Sequence, residues 1–184
     1  MANILPITLI GQTILEENAK TVKNIHGPKI QRLIDDMMIT CESAKGLGIA
    51  APQVGQSLRL VIISSKPCPR YPKAPFMEAT VLINPTIISR SEDMDEDWES
   101  CLSIPGYCGL VPRHKWVKVA YTNRDGEQKE DTFEGIVARV VQHEDDHTKG
   151  MFYTDPKRTK PENILTTQEY EQRFAAAKNN EAAA

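Results

Sequence analysis

The sequence VVQHEDDHTKG, residues 140–150, contains two histidines four residues apart, and a glutamate directly follows the first of them. Residues four apart lie on one face of an α-helix, so the imidazoles of His143 and His147 can bind one metal ion. Glu144 lies about 100° further around the helix axis. It is poorly placed to be a third ligand, but it can exchange protons with a water molecule that the metal activates. This stretch therefore predicts a metal-binding helix.

The helix predicted over residues 135–148 carries an apolar stripe that continues into the two histidines. Ile136 and Val140 share the face of the histidines, and we expect them to form the floor of a hydrophobic pocket beside the metal. Asp145 and Asp146 lie between the histidines, and we expect them to form a solvated face.

The third metal ligand is open at this point. One large group of proteases has a third histidine six residues after the second, but Tyr153 occupies that position here. Thermolysin-like proteases use a glutamate further along the chain, for which Glu169 and Glu171 are candidates. Upstream, Cys101 in EDWESCLSIPG (96–106) would complete a set of one thiolate and two imidazoles, with a fourth position free for water.

Length and composition restrict the class of protein. The chain has 184 residues, of which 40% are hydrophobic, and we expect one domain over residues 1–184. A formal net charge of −3 argues against nucleic-acid binding. No apolar run approaches the roughly 20 residues of a membrane span. We find no signal or transit peptide and no CxxC pair, which predicts reduced thiols and a cytoplasmic protein, in the bacterial cytosol or, after processing, in an organelle.

The order of predicted elements indicates an α+β fold, with antiparallel or mixed β-sheets packed around the central HExxH helix. Helices are predicted over residues 28–45 and 163–178, and the tail 179–184 is expected to fray. Strands are predicted at 58–64, 80–85 and 116–122, the last of which begins a hairpin. The proline-rich stretch 66–75 is expected to be a loop, with Cys68 as a bystander, and the acidic stretch 93–100 is expected to begin as one.

Three stretches together resemble the signature motifs of peptide deformylases. They are GLGIAAPQVG (46–55), ESCLSIPG (99–106) and QHEDDHTKG (142–150), and the resemblance covers about residues 5–155. It implies a deformylase-like fold and a metal-dependent hydrolase that removes the N-formyl group from formylmethionine on nascent polypeptides and releases formate. It also implies ferrous iron as the metal, with zinc, nickel or cobalt able to replace it, and makes the ribosome a candidate partner.

The resemblance also assigns roles by matched position. The implied metal ligands are Cys101, His143 and His147. The implied catalytic groups are Glu144 as general acid and base, with the Gln53 amide and the Leu102 backbone N–H as oxyanion donors. We expect the peptide substrate to contact Gly46, Leu47, Gly48, Ile49, Gly106, Ile136 and Val140. Of these, Leu47, Ile136 and Val140 are expected to form the walls of the methionine pocket.

Three positions depart from the family pattern, and one of them, Ile49 where leucine is common, conserves the side-chain volume. Ser100 replaces the usual glycine beside the cysteine, and Cys108 replaces an arginine, which is expected to place a second thiol near the site. We also expect Glu99 to pair with Arg113 as a brace for the cysteine loop. Two other functions compete with deformylation, namely a HExxH protease with a downstream glutamate ligand and a catalytically silent peptide-binding member of the same fold.

Overall fold

The computed structural model describes residues 2–68, 71–72 and 74–173 of the chain. In this part of the chain two long helices form where apolar stripes predict them, α1 over Pro28–Ser43 and α2 over Gly135–Thr148. The strands are β1 Gly48–Ala50, β2 Leu60–Ser65, β3 Met77–Arg90, β4 Met94–Cys101, β5 Ile104–His114, β6 Trp116–Thr122, β7 Gln128–Glu134 and β8 Ile164–Thr166. The predicted strand 116–122 and helix 135–148 are confirmed to the residue.

The described strands form two sheets. One has five strands in the order β1-β2-β3-β6-β7, and the other has three in the order β4-β5-β8. Every strand pair within these sheets is antiparallel, and the parallel contact is an isolated bridge between Lys20 and Leu58. The α+β class is therefore confirmed, with sheets that are antiparallel rather than mixed.

Helix α2 lies between the two sheets and positions the site. Val137, Ala138, Val140 and Val141 pack into a core formed with the five-stranded sheet. On its other side, the helix contacts β5, where Gln142 exchanges hydrogen bonds with the backbone of His114. The metal-binding sequence is thereby enclosed, which removes water from around the histidines.

The prediction that Asp145 and Asp146 form a solvated face is wrong. Each is only 3% exposed. Asp145 accepts a hydrogen bond from Lys149 at 2.5 Å, and Asp146 pairs with two arginines described below. Periodicity alone missed this burial because the partners that neutralise the two carboxylates come from outside the apolar stripe.

A second core lies between α1 and the five-stranded sheet. Ile34, Met37 and Cys41 of the helix pack against Ile49 and Leu60 of the sheet. The predicted core position of Cys41 is confirmed, since its side chain is buried within this cluster. Burial also raises the pKa of the Cys41 thiol to about 12, which makes it an unreactive packing group.

The strands β3 and β4 differ most from the sequence prediction, while α1 ends two residues early and β2 begins two residues late. Strand β3 continues through Pro85, because a register irregularity between Ile83 and Thr86 accommodates a residue that has no N–H to donate. The acidic stretch expected to begin as a loop is strand β4, which pairs with β5 from Met94 opposite His114 onward. Cross-strand pairing overrides the weak strand propensity of its carboxylates.

The predicted C-terminal helix begins later than expected. Residues 164–166 form β8, which pairs with β5, and the chain is helical over 167–173. The strand forms because β5 offers an unpaired edge at Tyr107–Gly109, which local propensity cannot reveal. The rest of that helix and the tail 179–184 lie outside the described residues. Among those described, no helix is both long and apolar enough to cross a membrane.

Gly150 should be essential for folding because it has a left-handed φ of 68° in a place with no room for a side chain. A Cβ at this position would collide with the backbone of Glu16. We expect Gly150→Ala to lower the free energy of unfolding by more than the roughly 1–2 kcal/mol of left-handed strain alone. Gly11→Ala is the matched control, since Gly11 has a φ of 94° but open space around it. Equal costs in urea unfolding would contradict the steric argument.

Candidate metal centre

Three side chains from two elements converge at the end of β4. Cys101 is the last residue of that strand, while His143 and His147 extend from consecutive turns of α2. Their ligand atoms all lie within 4.8 Å of one another, and all three residues are buried. The Cys101 Sγ and His147 Nε2 atoms are 3.2 Å apart. The structure therefore brings the two histidines to the upstream cysteine.

The downstream glutamates do not reach this group. The Glu169 carboxylate accepts hydrogen bonds from the backbone N–H of Thr166 at 2.8 Å and from its hydroxyl at 2.7 Å, and it is exposed. Glu171 is exposed as well. Within residues 2–68, 71–72 and 74–173, the cluster able to hold a metal consists of Cys101, His143 and His147.

The donor set fits a transition metal. A thiolate with two imidazoles is a ligand set for zinc and related divalent ions, and three protein ligands leave a further position open for water or substrate. Burial holds the pKa of His147 well below its usual value. His147 is therefore neutral, as a metal ligand must be.

Glu99 connects the metal centre to the surrounding strands. Its carboxylate accepts hydrogen bonds from Arg113 at 2.8 and 2.9 Å, from Arg139 at 3.0 Å and from His143 Nδ1 at 2.9 Å. Burial alone would raise the pKa of Glu99, but the charge and hydrogen bonds of Arg113, followed by those of His143, hold it well below its usual value. The ionised carboxylate directs His143 Nε2 towards the cysteine.

Two members of this network, Arg139 and Asp146, were missed by the sequence analysis. Arg139 also donates to the Val111 carbonyl at 2.7 Å, and Asp146 accepts from Arg113 at 2.5 Å and from Arg158. A signal was available, because Arg139 lies four residues before His143 and Asp146 three residues after it. Charged residues in register with an apolar stripe indicate buried partners.

Glu144 lies beside the metal cluster with its carboxylate packed against Gly48. A Cβ on Gly48 would lie 2.6 Å from Glu144 Oε1 and 2.8 Å from Val140 Cγ1, so only glycine leaves room for the carboxylate there. Burial raises the pKa of Glu144 to about 7, with the charge of His143 opposing the shift. Such a carboxyl can both accept and return a proton near neutral pH.

Gln53 is held with its amide nitrogen facing the cysteine. Its Oε1 accepts a hydrogen bond from the backbone N–H of Ala50 at 2.8 Å, which fixes the orientation of the amide. Its Nε2 then lies 3.2 Å from Ser103 Oγ and 3.5 Å from Cys101 Sγ. The glutamine is thus a buried donor beside the metal cluster.

A cavity of about 310 Å³ opens onto these groups. Among the predicted substrate contacts, it is lined by Gly46, Leu47, Gly48, Ile136 and Val140. Gln53, Leu102 and Glu144 line it as well. Two of the predicted substrate contacts do not line the cavity. Ile49 points to the opposite face of β1 and is buried in the core beneath α1, and Gly106 lies on β5 outside the lining.

Cys68 and Cys108 do not lie where the sequence analysis expected them. Cys68, expected to be a bystander, lines the cavity together with Tyr71 and Trp98. Cys108, expected to lie near the site, is buried in β5 opposite Leu165 and does not line the cavity. The loop that carries Cys68 reaches the site because the Tyr71 hydroxyl donates to the Trp98 carbonyl at 2.8 Å.

Comparison with known proteins agrees with this geometry. A model of the polypeptide deformylase family matches residues 4–163, which contain every residue of the metal cluster and its surroundings described above. The chain belongs to the polypeptide deformylase family. It is therefore an enzyme of the deformylase class, a metal-dependent hydrolase that removes the N-formyl group from nascent polypeptides, and neither competing function receives support.

Curated and solved deformylases are similar over most of their lengths. Peptide deformylase 2 of Nostoc sp. is 47% identical over 92% of this chain and 94% of its own. A class I type b peptide deformylase from Acinetobacter baumannii, crystallised with Met-Ala-Ser bound, is 41% identical with a TM-score of 0.82, over 84% of this chain and 99% of its own. The deformylase of Thermotoga maritima is 32% identical with a TM-score of 0.76, over 86% and 99% of the two chains.

Gly48→Ala should reduce turnover while leaving the metal in place. The added methyl group would displace the Glu144 carboxylate, and a shift of about 1 Å in a reacting group can cost roughly 100-fold in rate. Gly46→Ala is the matched control for kcat, because its Cβ would meet nothing closer than Cys41 Sγ at 3.2 Å, and any lost contact with the peptide at Gly46 would appear in KM instead. Formate release and metal content should be measured for both variants. Similar rates would show that the room left by Gly48 is unimportant.

Arg113→Ala should destabilise both the fold and the metal centre, because it leaves Glu99 and Asp146 as buried charges with fewer partners. We expect a loss of about 3–5 kcal/mol in the free energy of unfolding. We also expect metal affinity to fall by about 10- to 100-fold, since Glu99 would no longer hold His143 in place. Lys118→Ala breaks the exposed pair with Glu130 and should change stability by less than about 1 kcal/mol. An Arg113→Ala protein as stable as this control would disprove the brace.

Proposed function

We propose that this chain binds the formylmethionine end of a nascent polypeptide in the cavity and hydrolyses the formamide bond beside the metal cluster. The observation that carries the proposal is the meeting of three groups at one point. Two of the metal ligands, Cys101 and His143, border the same cavity as the Glu144 carboxylate and the apolar side chains of the predicted pocket, which are Leu47, Ile136 and Val140. A formamide on a methionine needs a Lewis acid, a proton carrier and an apolar pocket at this spacing.

We assign the metal to Cys101, His143 and His147, with ferrous iron as the proposed resident ion and zinc, nickel or cobalt able to replace it. Thiolate and imidazole donors suit all four ions. When bound, the metal supplies a Lewis acid for the formyl oxygen and lowers the pKa of a water molecule.

Glu144 is the proposed proton carrier. It accepts the proton from the water as the water oxygen forms a bond to the formyl carbon. It then delivers that proton to the methionine nitrogen as the C–N bond breaks, so that formate and a free amine leave. Burial raises the pKa of Glu144 above that of an ordinary carboxyl group, which favours the protonated form that the second transfer requires.

Gln53 Nε2 and the backbone N–H of Leu102 are the proposed donors to the oxyanion that develops on the formyl oxygen. Donors that are already oriented stabilise such a charge without reorganisation during the reaction. The hydrogen bond from Ala50 N–H to Gln53 Oε1 supports this role, because it prevents the amide from presenting its oxygen to the oxyanion.

The peptide is proposed to bind as an added strand along Gly46–Gly48. Among the described strands, β1 pairs with β2 alone, so it lies at the edge of the five-stranded sheet and can accept an extended chain. The bound Met-Ala-Ser of the Acinetobacter baumannii relative supports a peptide that begins with methionine. Nascent chains emerge from ribosomes, so we propose action in the cytosol close to the ribosome. We also propose that residues 1–184 form one domain, because α2 packs against both sheets.

Formate release from formyl-Met-Ala-Ser tests the function directly. Wild-type protein loaded anaerobically with ferrous iron should release formate, and Glu144→Gln should reduce the rate by about 100- to 10,000-fold at unchanged metal content. Cys101→Ser should lose metal and activity together. Formate from Glu144→Gln at the wild-type rate would remove Glu144 from the mechanism. Cleavage of unformylated peptides without formate release would favour a protease instead.

A further inference from the structure

Two aromatic residues pack against the metal-binding histidines without lining the substrate cavity. The ring centres of Phe152 and His147 are 5.5 Å apart, with the planes at 80°. The ring centres of Tyr153 and His143 are 6.1 Å apart, with the planes at 24°. Both aromatic side chains belong to the same buried cluster as Cys101. Each imidazole of the centre therefore has its own aromatic neighbour, to which the mechanism above gives no role.

The turn that follows α2 determines where the rings of Phe152 and Tyr153 lie. The left-handed Gly150 turns the chain, and the Met151 N–H donates to the Asp146 carbonyl at 3.0 Å, so the next two residues fold back along the helix. Gly109 of β5 leaves space for the Tyr153 ring, since a Cβ there would lie 2.8 Å from two of its carbons. The backbone on both sides thus fixes where the rings lie.

The two histidines are oriented in different ways. Metal-binding histidines normally donate their second ring N–H to a carboxylate, carbonyl or water, which holds the imidazole in place. His143 makes such a bond, from Nδ1 to Glu99 at 2.9 Å. The Nδ1 atom of His147 is buried and has no hydrogen-bond partner among the described residues. Apart from the contact of its Nε2 with Cys101 Sγ at 3.2 Å, His147 is held by ring packing against Phe152 and against His143, whose ring centre is 5.0 Å away with the planes at 79°.

We propose that Phe152 positions the imidazole of His147, as Glu99 positions the imidazole of His143. The Phe152 ring is buried and stands nearly perpendicular to the His147 imidazole, at 80°, so it opposes rotation of that imidazole about its Cβ–Cγ bond. Tyr153 supports His143 in the same way, but there the hydrogen bond to Glu99 acts as well. The inference rests on the metal-binding roles proposed above, and it predicts that Phe152 controls metal retention more strongly than Tyr153.

The test is the rate at which cobalt-loaded holoprotein loses its metal to an excess of chelator. We expect Phe152→Leu to lose cobalt at least about tenfold faster than wild type, as for loss of other groups that orient a ligand. Its cobalt absorption spectrum should shift as well, because the ligand field changes with the angle of the imidazole. Tyr153→Leu should lose cobalt less than half as fast as Phe152→Leu, and Phe152→Tyr, which keeps the ring, should behave as wild type.

Leu15→Ala controls for lost packing, because Leu15 belongs to the same cluster but contributes no ring. It should lower the unfolding temperature while leaving the cobalt spectrum and the rate of metal loss unchanged. If Leu15→Ala and Phe152→Leu lose cobalt at the same rate, Phe152 is only a core residue and the proposal is wrong. A Tyr153→Leu protein that loses cobalt faster than Phe152→Leu would overturn it equally.

The test of Phe152 and the test of deformylase activity can fail independently of each other. Suppose that the wild-type protein binds one cobalt ion but releases no formate, and that the Cys101→Ser variant binds no cobalt. Deformylation would then be disproved, while the role of Phe152 in metal retention could still be decided by the same measurement. Formate release from a Phe152→Leu protein that retains cobalt as wild type does would defeat the positioning role alone.

Discussion

The rest of the structure depends on the buried carboxylate of Glu99. It accepts hydrogen bonds from Arg113 on β5, from Arg139 on α2 and from the metal-side histidine His143. One buried charge thereby links the three-stranded sheet, the central helix and the metal centre. Because Glu99 lies two residues before Cys101 on β4, the same strand supplies a ligand and orients another.

Burying a network of charged side chains costs desolvation free energy, so the network is expected to serve a purpose other than stability. Buried ion pairs are often no more stabilising than apolar side chains of the same size, because desolvation offsets the attraction between the charges. Here Arg113 is shared between Glu99 and Asp146, and Arg158 reaches Asp146 from the segment after α2. The charges therefore add geometric definition more than stability, and a metal centre requires that definition because its ligands must keep their angles when substrate and product exchange.

The reacting groups and the outer wall of the cavity are held in different ways. The ligands and Glu144 belong to α2 and the end of β4, which are held on both sides, and Gln53 is fixed by the backbone of Ala50. The outer wall of the cavity is different, since Tyr71 joins the proline-rich loop to β4 through a hydrogen bond to Trp98. The reacting groups are thus preorganised by regular structure, while the connection between β2 and β3 shapes the entrance.

The sequence by itself determined the helix of the metal centre, its two histidines, its glutamate and the apolar face beside them, because a period of 3.6 residues is a local property of the chain. Three motifs together indicated Cys101 and Gln53. The pairing of Glu99 with Arg113 was also predicted, and the structure contains it. These assignments needed only spacing and the resemblance of short segments to a known family.

Only the tertiary structure decided which residues meet across distant segments. It buried Asp146 by bringing Arg113 and Arg158 to it, turned Ile49 away from the cavity, and placed Cys68 rather than Cys108 beside it. It also placed Phe152 against His147, whose Nδ1 atom has no hydrogen-bond partner among the described residues. Burial, charge pairing and ring contacts depend on how β4, β5 and the segment after α2 pack together. A local pattern can show that a charged residue such as Asp146 is in register with the buried face, but it cannot identify the partners.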